Sequence, residues 1–498
     1  MILAQTPSLP RAALMHPRQT IFRSIVLITM VVVGSPSLGV AQQPPKFNSA
    51  RPDIRWDDGT DPHAGHNHPP GVGHKPGDGS GPITFGPAVL PDTPEEKKLK
   101  ASLTPEQRAE YDRRKAAARG QEAVARNFKF GILPANDDSP LAKEYQAAFE
   151  SFREAMAESV TQLNRNSLAY NLTPQQIEEY NGGWFSSVAK CVEAKSRWIG
   201  KAGEIYATDP AKYAMIGQSL KEMLLFDVDT DRFEGWSEPA KALVQAEGPL
   251  VTPEVMLAAA SACLANNDFD GAQSIAAKLK STGFLSPQQD QFMDEIPKMK
   301  ETWLRELAFR KKDAEKNNNP RVELITSKGR MVIELFEDEA PEAVNSFVYL
   351  VERSFYSRKP FFRVEQHVVA QTGCEKGDGT GDAGYTFRGE ALNENHRDHF
   401  RGSCAIALGG SDKGIDQDSG SSQFYLSMIP LPHLDGNYTV FGRVIEGVEI
   451  LGLLKQLNLA NKDEKKENAN PDFIIRAKVL RKRDHEYRPT PVRGKLFK

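Results

Sequence analysis

The stretch FFRVEQHVVAQTG, Phe361 to Gly373, alternates apolar and polar residues at the two-residue period of a β-strand. Arg363 breaks the expectation that such a strand only feeds a core, because an unpaired guanidinium is costly to bury among aromatic and β-branched neighbours. Gln371 stands eight residues further on, so one unbroken strand would point both side chains to the same face. Taken alone, Arg363 also reads as a rim cation paired with Glu365 or Glu390.

The surrounding sequence has the same β character. VELITSKGRMVIELF holds two β-rich runs separated by Ser327-Lys328-Gly329-Arg330, which predicts a hairpin. Pro341 then opens a helix whose Val344, Phe347, Val348 and Val351 form one apolar stripe. Further on, GSSQFYLSM places Gln423 inside a strand-like run, followed by PHLDGNYTVFGRV. Short strands with Gly-rich turns continue to about Leu480 and predict a β domain with few helices, closed into a barrel so that its edges are hidden.

These segments, in this order, together with Gly379-Thr380-Gly381, resemble the cyclophilin-type peptidyl-prolyl cis–trans isomerases from about Arg321 to Asp484. The resemblance implies a closed antiparallel barrel of eight strands with two helices, and a groove that binds proline-containing polypeptide. Carried onto this chain, it implies that Arg363 is catalytic and that Gln371 orients it and holds substrate backbone. Val368, Val369, Tyr425 and Leu434 fall on positions of the proline pocket, with Phe424 nearby and Tyr438. Gly409 and Gly410 match the pair whose backbone binds the extended peptide, with Gln423 beside them. Several residues depart from the family's pattern. Val368 and Val369 stand where Phe and Met are common, Tyr425 where Phe is frequent and Tyr438 where His is frequent. His433 occupies a groove position where many eukaryotic members carry Trp, which implies weak cyclosporin binding. The loop GGSDKGIDQDSG, Gly409 to Gly420, is longer and more acidic than in compact members, and Cys374 replaces a usual Asp. The chemistry so implied needs neither metal nor cofactor.

The 498-residue chain is long enough for two or three domains. Its net charge of −3 and the lack of a Lys/Arg stripe argue against a nucleic-acid partner. Arg11, His16, Arg18 and Arg23 precede the apolar run IVLITMVVVG, and Gly39-Val40-Ala41 supplies small residues for cleavage. Residues 1–41 therefore read as a signal peptide, with an uncleaved membrane anchor as the alternative; after cleavage no stable membrane span is expected. Residues 42–91, rich in Pro, Gly and His, read as a disordered linker in which His63, His66, His68 and His74 are either a metal-binding cluster or solvated spacer.

Residues 92–319 read as an all-α region. Leu141, Tyr145, Phe149, Phe152, Met156, Val160 and Leu163 recur at steps of three and four. Thr104, Thr173, Thr252 and Ser286 each precede a proline as helix N-caps, the first two with a glutamine placed to close a capping box. The stretch from Val251 to Phe284 resembles a single tetratricopeptide-like unit, but no period repeats, so an irregular helical domain is the safer expectation. KKDAEKNNNPR marks the boundary to a β domain over 320–485, and 486–498 reads as a solvated basic tail. Cys191, Cys263, Cys374 and Cys404 fit no zinc or redox spacing and are expected as free thiols.

The combined expectation is an exported isomerase that accelerates Xaa-Pro rotation during folding of unfolded, proline-containing clients. The alternative is a non-catalytic module in which the helical region captures a partner. The sequon Asn437-Tyr438-Thr439 lies within the groove-lining segment and favours a bacterial periplasm or envelope over a eukaryotic secretory route.

Overall fold

The computed structural model describes residues 93–126, 130–168, 174–411, 414–461 and 470–496. The expected signal peptide, the linker with its histidines and the Thr173 cap lie outside the described residues. A small unit spans Leu38–Arg113, and a large one includes Arg114–Lys498. In the small unit, helix α1 (Pro94–Ser102) begins with a capping box in which the Thr93 side chain and the Glu96 carboxylate each accept the other residue's backbone amide. The Thr104–Gln107 box forms as expected at the start of α2 (Pro105–Arg126), at 3.0 and 3.2 Å.

The large unit continues with α3 (Pro140–Leu168), α4 (Pro174–Thr208), α5 (Ala214–Asp229), α6 (Ser237–Gln245), α7 (Pro253–Ala265), α8 (Phe269–Lys280), α9 (Pro287–Asp294) and α10 (Ile296–Lys316). The predicted stripe of α3 is its buried face: Tyr145, Phe149, Phe152, Met156 and Val160 pack into one core with Trp198, Leu220 and Trp236. Thr252 and Ser286 cap α7 and α9, and Gln289 adds a capping box at the latter. Among the described residues no helix is long and apolar enough to cross a membrane.

The C-terminal part is built from β1 (Arg321–Thr326), β2 (Arg330–Leu335), α11 (Pro341–Glu352), β3 (Arg363–Glu365), β4 (Val369–Thr372), β5 (Tyr385–Thr386), β6 (Ser403–Ile406), β7 (Gly410–Ser411), β8 (Gly414–Ile415), β9 (Phe424–Ser427), β10 (Val440–Glu446), β11 (Leu457–Asn458), β12 (Ile474–Arg481) and β13 (Arg493–Gly494). The expectation of a closed eight-stranded barrel with two helices is corrected here. The main sheet is antiparallel and curled, with nine strands in the open order β11-β3-β4-β9-β6-β10-β2-β1-β12. The segment before β3 approaches β12: Arg358 N donates to Ile474 O at 2.7 Å and Phe361 N to Asp472 O at 2.8 Å. These bonds amount to an isolated bridge, Pro360 to Phe473, and not a strand ladder, which proline, lacking an amide proton, does not continue. Among the described residues of this part α11 is the single α-helix; Val448–Leu453, after the left-handed Gly447, winds as a 3₁₀ turn.

The tail also departs from expectation. Tyr487 is 2% exposed and donates to Glu337, and β13 pairs with β5, so this segment straps the domain instead of extending into solvent. The boundary near Pro320 is not a gap in packing either. Leu163, Trp184 and Val188 of the helices belong to the same buried cluster as β1, β2 and α11, and Phe400 joins the helical core, edge-on to Trp303.

Candidate active site

Arg363 and Gln371 are brought together by a hairpin, not by one strand. The run Phe361–Gly373 folds back at Gln366-His367-Val368, and β3 pairs with β4 so that Arg363 lies directly opposite Gln371. His367 takes the left-handed conformation, with φ 57°, that a short hairpin loop requires. The expectation of a shared face holds by this different route, since directly opposed residues project to the same side of a sheet. Val364 faces the core, whereas Arg363, 9% exposed, lies on the opposite side.

A chain of hydrogen bonds fixes the guanidinium. Nη1 donates to Gln371 Oε1 at 3.2 Å, and Nη2 donates to Glu365 Oε2 at 2.5 Å. Glu365 is held in turn by Asn458 Nδ2 at 2.9 Å. Gln371 Nε2 donates to Gln423 Oε1 at 3.1 Å, and Gln423 Nε2 donates to the carbonyls of Gly379 and Gly381 at 3.0 and 2.8 Å. The amides of the same two glycines donate to Cys374 Sγ, each at 3.2 Å. Each amide is therefore oriented by its partner, and the Arg363 guanidinium lies beside one carboxylate. Glu390, the other partner considered for Arg363, instead accepts from the amides of Glu342 and Ala343 at the start of α11. Gly373, at φ 82°, lets the end of β4 approach β9, since a Cβ there would sit 2.3 Å from Ser422 O.

Next to this chain lies an apolar cluster of Val369, Tyr425, Leu434, Tyr438, Ala405, Leu431, Phe336 and Val440, with Val368 packed against it. The Tyr425 and Tyr438 rings meet edge to face at 6.0 Å. Burial pushes the Tyr425 phenol well above its ordinary range, against the opposing effect of the nearby Arg363 charge. Tyr425 is anchored by two residues that the sequence did not point to. His399 Nε2 lies 2.9 Å from the Tyr425 hydroxyl, and its Nδ1 lies 2.7 Å from Asp435 Oδ1. These partners are 26 and 36 positions apart, a separation at which no periodicity or spacing signal links them. Among the described residues no cluster of His, Cys, Asp or Glu is arranged to hold a metal ion.

A sequence model of the cyclophilin type peptidyl-prolyl cis–trans isomerase family matches residues 321–479. A peptidyl-prolyl cis–trans isomerase of Helicobacter pylori is 43% identical over 133 residues, which are 26% of this chain and 77% of the relative. Peptidyl-prolyl cis–trans isomerase B of Bacillus subtilis is 36% identical over 144 residues, 29% of this chain and 92% of the relative. The crystal structure of a Cryptosporidium parvum cyclophilin type isomerase aligns with 26% identity over 32% of this chain and 97% of that one, at a TM-score of 0.28. The chain belongs to the cyclophilin-type peptidyl-prolyl cis–trans isomerase family.

Not every position carried over from the cyclophilins gathers at the cluster. Phe424 is fully buried on the other side of β9, between Phe347, Tyr356 and Phe441, because strand alternation sends Phe424 and Tyr425 to opposite faces. His433 is exposed, in the 3₁₀ turn Pro432–Leu434. Gly409 and Gly410 begin the long cyclophilin loop, but their peptide groups are engaged within it. Gly409 N donates to Ser419 Oγ at 2.7 Å, Gly409 O accepts from Asp416 N at 2.9 Å, and Gly410 pairs with Ile415.

Proposed function

We propose that this chain is an exported peptidyl-prolyl cis–trans isomerase and that Arg363 is its electrophilic group. The observation that carries the reading is the held chain Glu365–Arg363–Gln371–Gln423 beside the cluster of Val369, Tyr425, Leu434 and Tyr438.

Rotation about an Xaa-Pro bond must break amide resonance, at a cost of about 18–20 kcal/mol. In the twisted state the proline nitrogen becomes pyramidal and regains a lone pair. A guanidinium that donates to that nitrogen stabilises the twisted state more than the planar one, which is the condition for faster turnover. The apolar cluster would hold the proline ring while the preceding carbonyl swings, a positioning effect. Gln371 would hold the substrate backbone. Arginine suits the role because its fork is planar and always charged. No bond is made or broken, so no nucleophile is needed.

Isomerisation is slow on the timescale of folding, and unfolded exported chains are the clients that the amino-terminal 41 residues suggest. A non-catalytic binding module is the second reading, favoured by the engaged peptide groups of Gly409 and Gly410 at the groove. Exchange NMR on a short Xaa-Pro peptide separates the two. The full-length chain is expected to accelerate cis–trans exchange, with Arg363→Ala lowering kcat/KM by about 100- to 1,000-fold. Equal rates for the two proteins would remove Arg363 from the mechanism, and no acceleration by either would favour the binding module.

A further inference from the structure

We infer that the segment joining α5 to α6 in the helical region positions the hairpin that carries Arg363 and Gln371, with Asp231 and His367 as the positioning pair. The inference rests on the isomerase reading and assigns to the helical region a part in that reaction.

The hairpin has little support of its own at its tip. Strand β3 has three residues and its outer neighbour β11 only two. The tip's local bonds are Val368 N to Glu365 O at 3.1 Å and Met428 N to Val368 O at 3.0 Å. The side chains of Gln366 and His367 reach across to the helical region instead. Gln366 Nε2 donates to Asp229 Oδ1 at 3.0 Å, and the His367 amide donates to Asp231 Oδ1 at 2.9 Å. His367 Nε2 lies 2.6 Å from Val228 O; a carbonyl only accepts, so this nitrogen carries the proton. The imidazole also packs against the Phe233 ring at 5.9 Å.

The segment doing the holding is itself immobilised. The buried Asp227 carboxylate accepts from Trp236 Nε1 at 2.7 Å and from Lys195, and Asp227 O accepts from Arg232 N at 2.8 Å. Phe233 and Trp236 are fully buried. From the β side, Arg401 donates to Asp231 O at 3.0 Å, to Glu234 Oε1 at 2.7 Å and to Met428 O at 2.8 Å, and its guanidinium stacks over Phe233. Arg401 thus ties the segment to Met428, whose amide bonds the hairpin at Val368. The 3₁₀ turn Val448–Leu453 also packs on this segment, at Gly452, where a Cβ would lie 2.7 Å from Asp231 O. A rigid anchor on a hairpin tip limits the swing of both strands, and small displacements of a charged group that acts in the transition state are costly in rate.

The test uses the full-length chain. His367→Gly removes the imidazole while keeping the left-handed backbone that the loop needs. Asp231→Ala removes the acceptor of the His367 amide, and Asp231→Asn retains an acceptor oxygen. Exchange NMR should find kcat lowered about tenfold in His367→Gly and Asp231→Ala. KM should change little, and Asp231→Asn should recover most of the rate. The Arg363 Nε–Hε resonance should broaden in the two impaired variants, a change that overall destabilisation below the melting temperature would not produce. Unchanged kcat in His367→Gly overturns the inference even if Asp231→Ala fails to fold, and so does a loss confined to KM. Wild type and Arg363→Ala run alongside. An inactive wild type removes the isomerase reading and this inference with it, whereas an active wild type with insensitive variants removes the inference alone.

Discussion

Arg363 shows how one residue type acquires a role from its neighbours. It stands in an apolar run, yet its guanidinium is shared between Glu365 and Gln371, so its charge is compensated without being fully engaged. Tyr425 carries the complementary lesson. Its ring joins the apolar cluster, and its hydroxyl meets the buried His399. Tyr425→Phe leaves His399 Nε2 without that partner and is expected to cost about 1–3 kcal/mol in urea unfolding. If the loss is negligible, the contact is not maintained in solution. His433 lies exposed; if it stands, as the resemblance to cyclophilins implies, where many eukaryotic members carry Trp, titration calorimetry should find weak binding of cyclosporin. A submicromolar dissociation constant would count against the assignment of the rim.

At the scale of elements, the turn at Gln366-His367-Val368 was the feature that the sequence concealed. Neither glycine nor asparagine marks it; its one local sign is that the alternation stops at Glu365-Gln366-His367, a break that reading the run as a single strand passes over. The left-handed His367 is held by contacts with Val228, Asp231 and Phe233, none of which is local in sequence. Gly373, by contrast, has a conformational reason legible at once in the structure. Gly373→Ala forces a Cβ toward Ser422 O at a positive φ and should lower stability by about 1–3 kcal/mol, read from thermal unfolding. The carboxy-terminal strap adds a pH dependence. His485 Nε2 lies 2.6 Å from Glu337 Oε1, and this bond raises the imidazole above its usual 6.5. A raised folded value means that the contribution is fully present below about 6.5 and is lost as pH rises through the folded value. The melting-temperature gap between wild type and His485→Gln should therefore narrow from pH 6 to pH 9; a constant gap would mean that charge plays no part in holding the strap.

Across the whole molecule, the helices and the sheet are joined by charge as well as by shared cores. The Arg397 side chain is fully buried, sandwiched between the Phe309 and Phe336 rings, and bonds Glu306 at 3.1 Å and Asp313 at 2.9 Å. Glu339 lies 3.5 Å away, its carboxyl pushed up by burial with Arg397 acting against the shift. Arg397→Met leaves these carboxylates without their central cation and is expected to cost about 3–5 kcal/mol of unfolding free energy. A loss no larger than that of a surface mutation would show that the carboxylates are compensated elsewhere. The same network means that a fragment beginning at Pro320 lacks the Glu306 and Asp313 partners of Arg397, so cutting at the polar run KKDAEKNNNPR divides an interface.

The helix starts at Thr104, Thr252 and Ser286, the α3 stripe, the first hairpin and the ordered set of motifs around Arg363, Gln371 and Gln423 were all determined by sequence alone. Each depends on capping chemistry, on a period of 3.6 or 2, or on short segments whose residue types are constrained by their site. Tertiary structure decided which of those residues meet. It set the register that places Arg363 across from Gln371, the anchoring of Tyr425 by His399 and Asp435, the strap at Tyr487 and the seating of the α5–α6 segment on the hairpin tip. Periodicity reports which face of an element is buried, but not which distant element buries it. That choice is made by packing between segments tens to more than a hundred residues apart, for which a single sequence has no local signal.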